Sequence, residues 1–193
     1  MNTPAHVVIN LMALGRKAEP RLQGFIVTGA LLPDIPMFLF YFVVKIIQRV
    51  PEREIWDTLY YQDGWQTFFD TFNSVPLIAV GMLIAWRLKA RGAQLLFSSM
   101  AVHVALDLPL HHEDAHRHFF PLSDWRFSSP VSYYDPAHYG HFVLPIEALL
   151  VAVCTVLLYR GSDSRAGRII AGAAGGVYLA FIAFALIVWG GSG

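Results

Sequence analysis

The residues best suited to chemistry lie in one short stretch that begins at His103. Five of the eight histidines of the chain fall between residues 103 and 118. His103 and Asp107 are four residues apart, so on a helix the two side chains lie on one face, one turn from each other. An imidazole and a carboxylate in this register suit a divalent metal ion.

The local sequence also predicts where that helix ends. Pro109 disfavours helical geometry at Leu108, which puts Asp107 in the last helical turn. A carboxylate there opposes the helix dipole by roughly 0.3–1 kcal/mol, and an unpaired Asp in lipid costs about 2.5–3.5 kcal/mol. We therefore expect a cation beside Asp107, and a metal ion shared with His103 is the economical candidate.

The elements that must position this pair are apolar helices. Of the 193 residues, 55% are hydrophobic and 15% are charged, which is typical of a membrane protein. The sequence predicts one all-α, polytopic membrane helix bundle over residues 1–193, with about five hydrophobic helices, four of them spanning. Residues 24–47 are long enough to span but must break at Pro33-Asp34. The net charge of zero gives no indication of a nucleic-acid partner.

The distribution of basic residues predicts the orientation. The loops 15–23, 87–92 and 160–168 hold nine Lys and Arg residues, whereas loops 48–73 and 111–140 hold four Arg and nine acids. Because Lys and Arg favour the cytoplasmic side, the first set is expected inside. The His-rich loop 111–140 then faces outward, into the periplasm if the membrane is a bacterial inner membrane.

Further ionisable residues lie in or near apolar segments, where they are functional candidates. We expect four residues to converge on one ion, and two imidazoles with two carboxylates suit Zn²⁺, or Mn²⁺ or Fe²⁺: His6, Asp34, His103 and Asp107. Candidates for acid–base catalysis and substrate contact lie in the His-rich loop and in the helix that follows it: His111, His112, Asp114, His116 and Glu147.

Each of these residues also has a structural interpretation. His6 could be an interfacial histidine, and Asp34 could cap the helix that follows it. Asp70 is expected to cap a helix beginning near Thr71. Glu147 could pair with a nearby histidine such as His141.

The same residues carry a resemblance to a known family. Thr3-Pro-Ala-His6, Gly29-Ala-Leu-Leu-Pro-Asp34-Ile and His103-xxx-Asp107 resemble, in order, the motifs of the membrane-bound metal-dependent hydrolases. These are small bacterial inner-membrane proteins, similar in layout to the zinc phospholipase C and nuclease fold. The resemblance covers roughly residues 3–110 and implies a metal site carried by the four residues named above. It departs at Phe72-Asn73-Ser74, where the family usually has a Thr-His-Ser type motif.

The function expected from this resemblance is metal-dependent hydrolysis at the membrane, with a phosphoester or a lipid-linked molecule as the substrate. Two other functions fit the same residues. A non-enzymatic protein could capture a metal ion or proton in the histidine loop and pass it along the buried carboxylates. A structural partner protein could retain a vestigial metal site, which Asn73 in place of a histidine would favour.

Overall fold

The computed structural model describes residues 1–16, 18–162 and 165–189, and every regular element within those ranges is helical. The α-helices, in chain order, are α1 Thr3–Asn10, α2 Gln23–Leu31, α3 Ile35–Tyr41, α4 Glu52–Glu54, α5 Asp63–Phe72, α6 Val75–Arg87, α7 Arg91–Asp107, α8 Gly140–Gly161 and α9 Arg165–Trp189. π-Helical turns continue three of them, over Leu11–Gly15, Phe42–Ile47 and Ile55–Leu59. The prediction of an all-α fold is confirmed.

Within the described residues, four helical stretches are long and apolar enough to cross a membrane: Asp63–Arg87, Arg91–Leu110, Gly140–Gly161 and Arg165–Phe184. A fifth candidate is the pair formed by Pro20–Leu31 and Ile35–Ile47, whose axes differ by 55°. The predicted break at Pro33-Asp34 is therefore confirmed. Lys17, which was counted among the basic loop residues, lies outside the described residues.

Residues 48–71, which are polar and aromatic-rich, contain α4 and most of α5, and α5 begins the first long span. Asp70 lies inside α5, so the expectation that it caps a helix beginning near Thr71 is wrong. Its buried carboxylate instead accepts hydrogen bonds from the backbone N–H of Arg117, at 3.0 Å, and from the guanidinium of the same residue. Asp70 thus fastens the His-rich loop to α5.

Helices α2 and α7 pack in close contact at Gly29. A Cβ atom at Gly29 would overlap the carbonyl oxygen of Leu96 and would lie 2.8 Å from Cβ of Ser99, so only glycine permits this approach. The Ser99 hydroxyl donates to the carbonyl of Ile26 at 2.6 Å. The Asn10 amide of α1 donates to Ser99 at 2.8 Å, which ties a third helix to the pair.

Helix α1 lies between the α2/α7 pair and the α8/α9 pair. Its apolar side packs with Val151 of α8 and Tyr178 of α9 in one buried cluster. His6 and Asn10 are four residues apart on α1, as His103 and Ser99 are on α7, so the two helices meet at two levels. The Asn10–Ser99 hydrogen bonds form one level, and the two histidines form the other.

Candidate metal centre

Three buried side chains meet where α1 lies against the last turn of α7. The ligand atoms of His6, His103 and Asp107 all lie within 4.8 Å of one another, and none of the three side chains is more than 4% exposed. Nε2 of His6 lies 2.9 Å from Oδ1 of Asp107, and Nε2 of His103 lies 3.0 Å from Oδ2. The two imidazole rings stack with their centroids 3.6 Å apart. We call these three residues the His–His–Asp cluster.

The register predicted for His103 and Asp107 is confirmed. Asp107 is the last residue of α7, and a 3₁₀ turn over Leu108–Leu110 follows it. The carboxylate therefore lies at the end of a helix among apolar segments, as Pro109 led us to expect.

Hydrogen bonding fixes the tautomer of His103. Its Nδ1 lies 2.7 Å from the carbonyl oxygen of Ala30, which can only accept, so Nδ1 carries the proton. In the neutral ring Nε2 then presents a lone pair toward Asp107. This buried nitrogen has no hydrogen-bond partner within the part of the chain that the structure describes. The approach of Nε2 to Oδ2 at 3.0 Å is satisfied either by a second proton on His103, which makes the ring an imidazolium that donates to Asp107, or by a metal ion bound to both groups.

A positive group already contacts the same carboxylate. The ammonium group of Met1 lies 2.5 Å from Oδ1 of Asp107, and both groups are buried.

The side chains of the His–His–Asp cluster fit a divalent ion, because two imidazole nitrogens and a carboxylate are ligands that Zn²⁺, Mn²⁺ and Fe²⁺ accept. The Ala30 carbonyl would serve as the outer partner that orients a ligating histidine.

Asp34 lies beside the His–His–Asp cluster but is not one of its three members. It occupies the N-cap position of α3, yet its side chain makes no capping hydrogen bond. Oδ2 instead accepts from the Thr3 hydroxyl at 2.5 Å, and Oδ1 lies 3.5 Å from Nε2 of His103. The structure therefore brings Asp34 next to the other three predicted ligands and does not support its interpretation as a helix cap.

His111 and Asp114 form a pair at the mouth of the cluster. Nδ1 of His111 lies 2.7 Å from Oδ2 of Asp114, and its Nε2 lies 3.6 Å from Oδ2 of Asp107. Burial lowers the pKa of His111, but the neighbouring carboxylates of Asp107 and Asp114 outweigh it and raise the pKa to about 9. Asp114 therefore orients His111 with its second nitrogen toward the cluster.

His116 lies in the same loop, with its Nδ1 3.4 Å from Oδ1 of Asp70. That buried nitrogen and Oδ1 of Asp114 have no hydrogen-bond partner among the described residues. Both residues face the cavity described below. They are available to a ligand on geometric grounds.

Two of the predicted acid–base candidates have other contacts. Nδ1 of His112 lies 2.5 Å from the carbonyl oxygen of Ser129, and its ring stacks on His138. Glu147 accepts two hydrogen bonds from Asn2, at 2.6 and 3.1 Å, and one from the Tyr178 hydroxyl at 3.1 Å. These contacts assign Glu147 to holding the start of α1 in place, rather than to pairing with His141.

The side chain of Asn73, at the position where the resemblance implied a histidine, has its hydrogen-bond partners outside the cluster. Its side-chain amide donates to the carbonyl oxygens of Pro33 and Phe69, at 3.3 and 3.1 Å. Its backbone carbonyl lies 3.3 Å from Nδ1 of His118. Asn73 thus connects the end of α5 to the break between α2 and α3 and to the His-rich loop.

A cavity of about 550 Å³ adjoins the cluster. Its ionisable lining residues are Asp34, His111, Asp114 and His116, and of these Asp34 and His111 also lie against the cluster. The rest of the lining is largely apolar and includes Leu31, Met37, Phe38, Trp56, Tyr60, Phe69, Tyr133 and Phe181. Phe38 is 59% exposed on the outside of the bundle, so the cavity reaches an apolar surface as well as the cluster.

Comparisons with protein-family models, with curated proteins and with solved structures find no match to this chain. The sequence did not predict four contributors, namely the Met1 ammonium group, the Thr3 hydroxyl, the Ala30 carbonyl and the Asp70–Arg117 contact. Only the Asp70–Arg117 pair left a signal, since a carboxylate in an apolar segment calls for a basic partner.

Proposed function

We propose that this protein is a membrane hydrolase of phosphoesters that depends on a divalent metal ion, with zinc favoured over manganese and iron. The observation that carries the proposal is the convergence of His6, His103 and Asp107, whose buried ligand atoms lie within 4.8 Å of one another. His6, His103 and Asp107 would hold the ion, and Asp34 is placed to join them. Such an ion supplies Lewis acidity to a phosphoryl oxygen and lowers the pKa of water toward about 7.

The side chains around the cluster support acid–base chemistry. His111 is held by Asp114 through one ring nitrogen and directs the other toward the cluster, an arrangement that suits transfer of a proton. His116 and Asp114 line the same cavity with buried polar atoms. We assign the proton-transfer role to His111 and substrate contact to Asp114 and His116.

The shape of the cavity supports an amphiphilic substrate. Ionisable residues of its lining lie against the metal-binding residues, and its apolar lining includes Phe38, which is exposed on the outside of the bundle. A phosphoester with an apolar chain would place its headgroup beside Asp34 and His111 and its chain along the apolar lining.

We further propose that the His-rich loop faces the periplasm of a bacterial inner membrane. The support is the excess of Lys and Arg in the loops 15–23, 87–92 and 160–168. Reporter fusions after Arg91 and after Asp124 test this orientation. We expect the first to be active only with a cytoplasmic reporter and the second only with a periplasmic one, and the reverse pattern would contradict it.

The function is tested with purified protein in dodecyl maltoside, supplied with Zn²⁺ or Mn²⁺. Phosphomonoesters, phosphodiesters and lipid phosphates are offered in parallel. We expect turnover of at least one class that stops when the metal is chelated and returns when it is restored. Stoichiometric metal binding without turnover of any class would instead favour the ion-handling alternative.

A further inference from the structure

A second cavity, of about 600 Å³, extends from the first one. The two cavities share five lining residues, so the second continues the site rather than lying apart from it: Met37, Trp56, Tyr60, Asp114 and Tyr133. Tyr61 and Tyr134 complete its lining. Five of the seven residues around this space are aromatic, and we call it the aromatic cavity.

The planes of the aromatic rings that line the cavity lie at steep angles to one another. The rings of Tyr60 and Tyr61 are 4.9 Å apart with an interplanar angle of 87°, and those of Tyr133 and Tyr134 are 5.2 Å apart at 74°. The ring of Trp56 is tilted by 50° from that of Tyr60. Rings in several planes around one space allow several π faces to surround a rounded group.

Acidic side chains lie at the aromatic cavity: Asp114 lines it and pairs with the ring of His111, and Glu113 lies near Tyr61. Asp114 is the one carboxylate among its lining residues, and no Lys or Arg is among them. Burial raises the pKa of Tyr61, and the nearby carboxylates of Glu113 and Asp114 raise it further. The rings therefore remain neutral at physiological pH, while the carboxylates favour a cation and disfavour an anion.

Asp114 supplies an observation that points to a ligand independently of the aromatic rings. Its Oδ2 atom is occupied by His111 at 2.7 Å. Its Oδ1 atom is buried and has no hydrogen-bond partner in the described ranges. One carboxylate oxygen thus remains for a group inside the cavity, and a cationic group would satisfy it.

We propose that the aromatic cavity binds an organic ammonium group. Ring faces attract an alkylammonium by cation–π interaction, and the carboxylates of Asp114 and Glu113 beside them favour a positive charge. Because this cavity continues the one beside the metal-binding residues, the ammonium group belongs to the substrate, as part of a zwitterionic phosphoester. That last assignment rests on the proposed function, whereas the binding of the cation rests on the aromatic cavity alone.

The probe is choline, and its control is 3,3-dimethylbutan-1-ol, which has the same shape without the charge. Both are titrated calorimetrically into purified protein in dodecyl maltoside, a detergent without an ammonium group. We expect choline to bind roughly tenfold more tightly than the alcohol. Equal affinity for the two probes, or no binding of choline, would overturn the proposal.

A matched pair of variants locates the binding. Trp56 lines the aromatic cavity, and Trp125 is a similarly exposed tryptophan outside it, at 42% and 53% exposure. Trp56→Leu is expected to weaken choline binding about tenfold, and Trp125→Leu to leave it within about twofold. Equal losses in the two variants would contradict a site at this cavity.

A third variant separates this proposal from the enzymatic one. His103→Ala removes a residue of the metal cluster but none from the aromatic cavity. Choline binding is expected to persist in this variant even though hydrolysis is lost. If wild type hydrolyses no phosphoester and still prefers choline to its neutral analogue, the function fails and the cation site stands. Loss of choline binding in folded His103→Ala protein would overturn the cation site.

Discussion

Asp107→Ala is expected to abolish metal-dependent hydrolysis and to weaken metal binding by more than about 100-fold, since even residues that only orient a ligand contribute 10–100-fold. The physical reason is that Asp107 contacts both histidines of the cluster, at 2.9 and 3.0 Å. Without its charge, two buried imidazoles remain as the only members of the cluster. Zinc titration with a competing chelator measures the affinity, and the substrate panel measures turnover.

The matched control for this variant is Asp57→Ala. Asp57 pairs with Arg53 on the surface, and both side chains are more than 60% exposed. Exposed pairs of this kind contribute about 0–1 kcal/mol, so metal affinity and turnover should remain at wild-type levels. Unchanged metal affinity in folded Asp107→Ala protein would show that the His–His–Asp cluster is not the metal site.

His111→Ala is expected to lower turnover by about 10²- to 10⁴-fold while the protein keeps its metal. His111 is oriented by Asp114 and directs its other nitrogen toward Asp107 from 3.6 Å, outside the closest group of three. Loss of activity with retention of metal distinguishes a residue that transfers a proton from one that holds the ion. Turnover and metal content are measured on the same preparation.

His141→Ala is the control, because His141 is an exposed histidine beyond the loop and belongs to neither the cluster nor the cavity beside it. Its turnover should stay within about twofold of wild type, as surface substitutions usually change little. Loss of metal from His111→Ala would instead make His111 a ligand. Full turnover in that variant would exclude it from the chemistry.

Local rules predicted the half of the site that lies on one helix. The spacing of His103 and Asp107 fixed their common face, and Pro109 fixed the end of α7. The break at Pro33-Asp34 followed from the same kind of local reasoning. These features were predictable because each depends on residues within about one helical turn.

Contacts between distant segments were not predictable in the same way. His6 and Asp107 are 101 residues apart, and the expectation that they meet came from ionisable residues placed in apolar segments and from the order of the motifs, not from local spacing. The side chain of Asp34 could have capped α3. It instead accepts a hydrogen bond from the hydroxyl of Thr3, which lies on α1. The roles of Glu147 and Asp70 likewise depend on partners in other segments. The partner of Glu147 is Asn2, and the partner of Asp70 is Arg117. Sequence identifies such buried charges but not the partners that satisfy them.

The most direct test of the central claim is the metal content of purified wild-type protein beside that of His103→Ala. Both proteins are stripped with chelator, reloaded with zinc, dialysed and analysed by mass spectrometry, with circular dichroism to verify that the variant is folded. We predict about one tightly held zinc ion per wild-type chain, and close to none in the variant, because binding depends on the cluster's own ligands. A folded wild-type protein that retains no stoichiometric metal, or a variant that retains as much, would contradict the account.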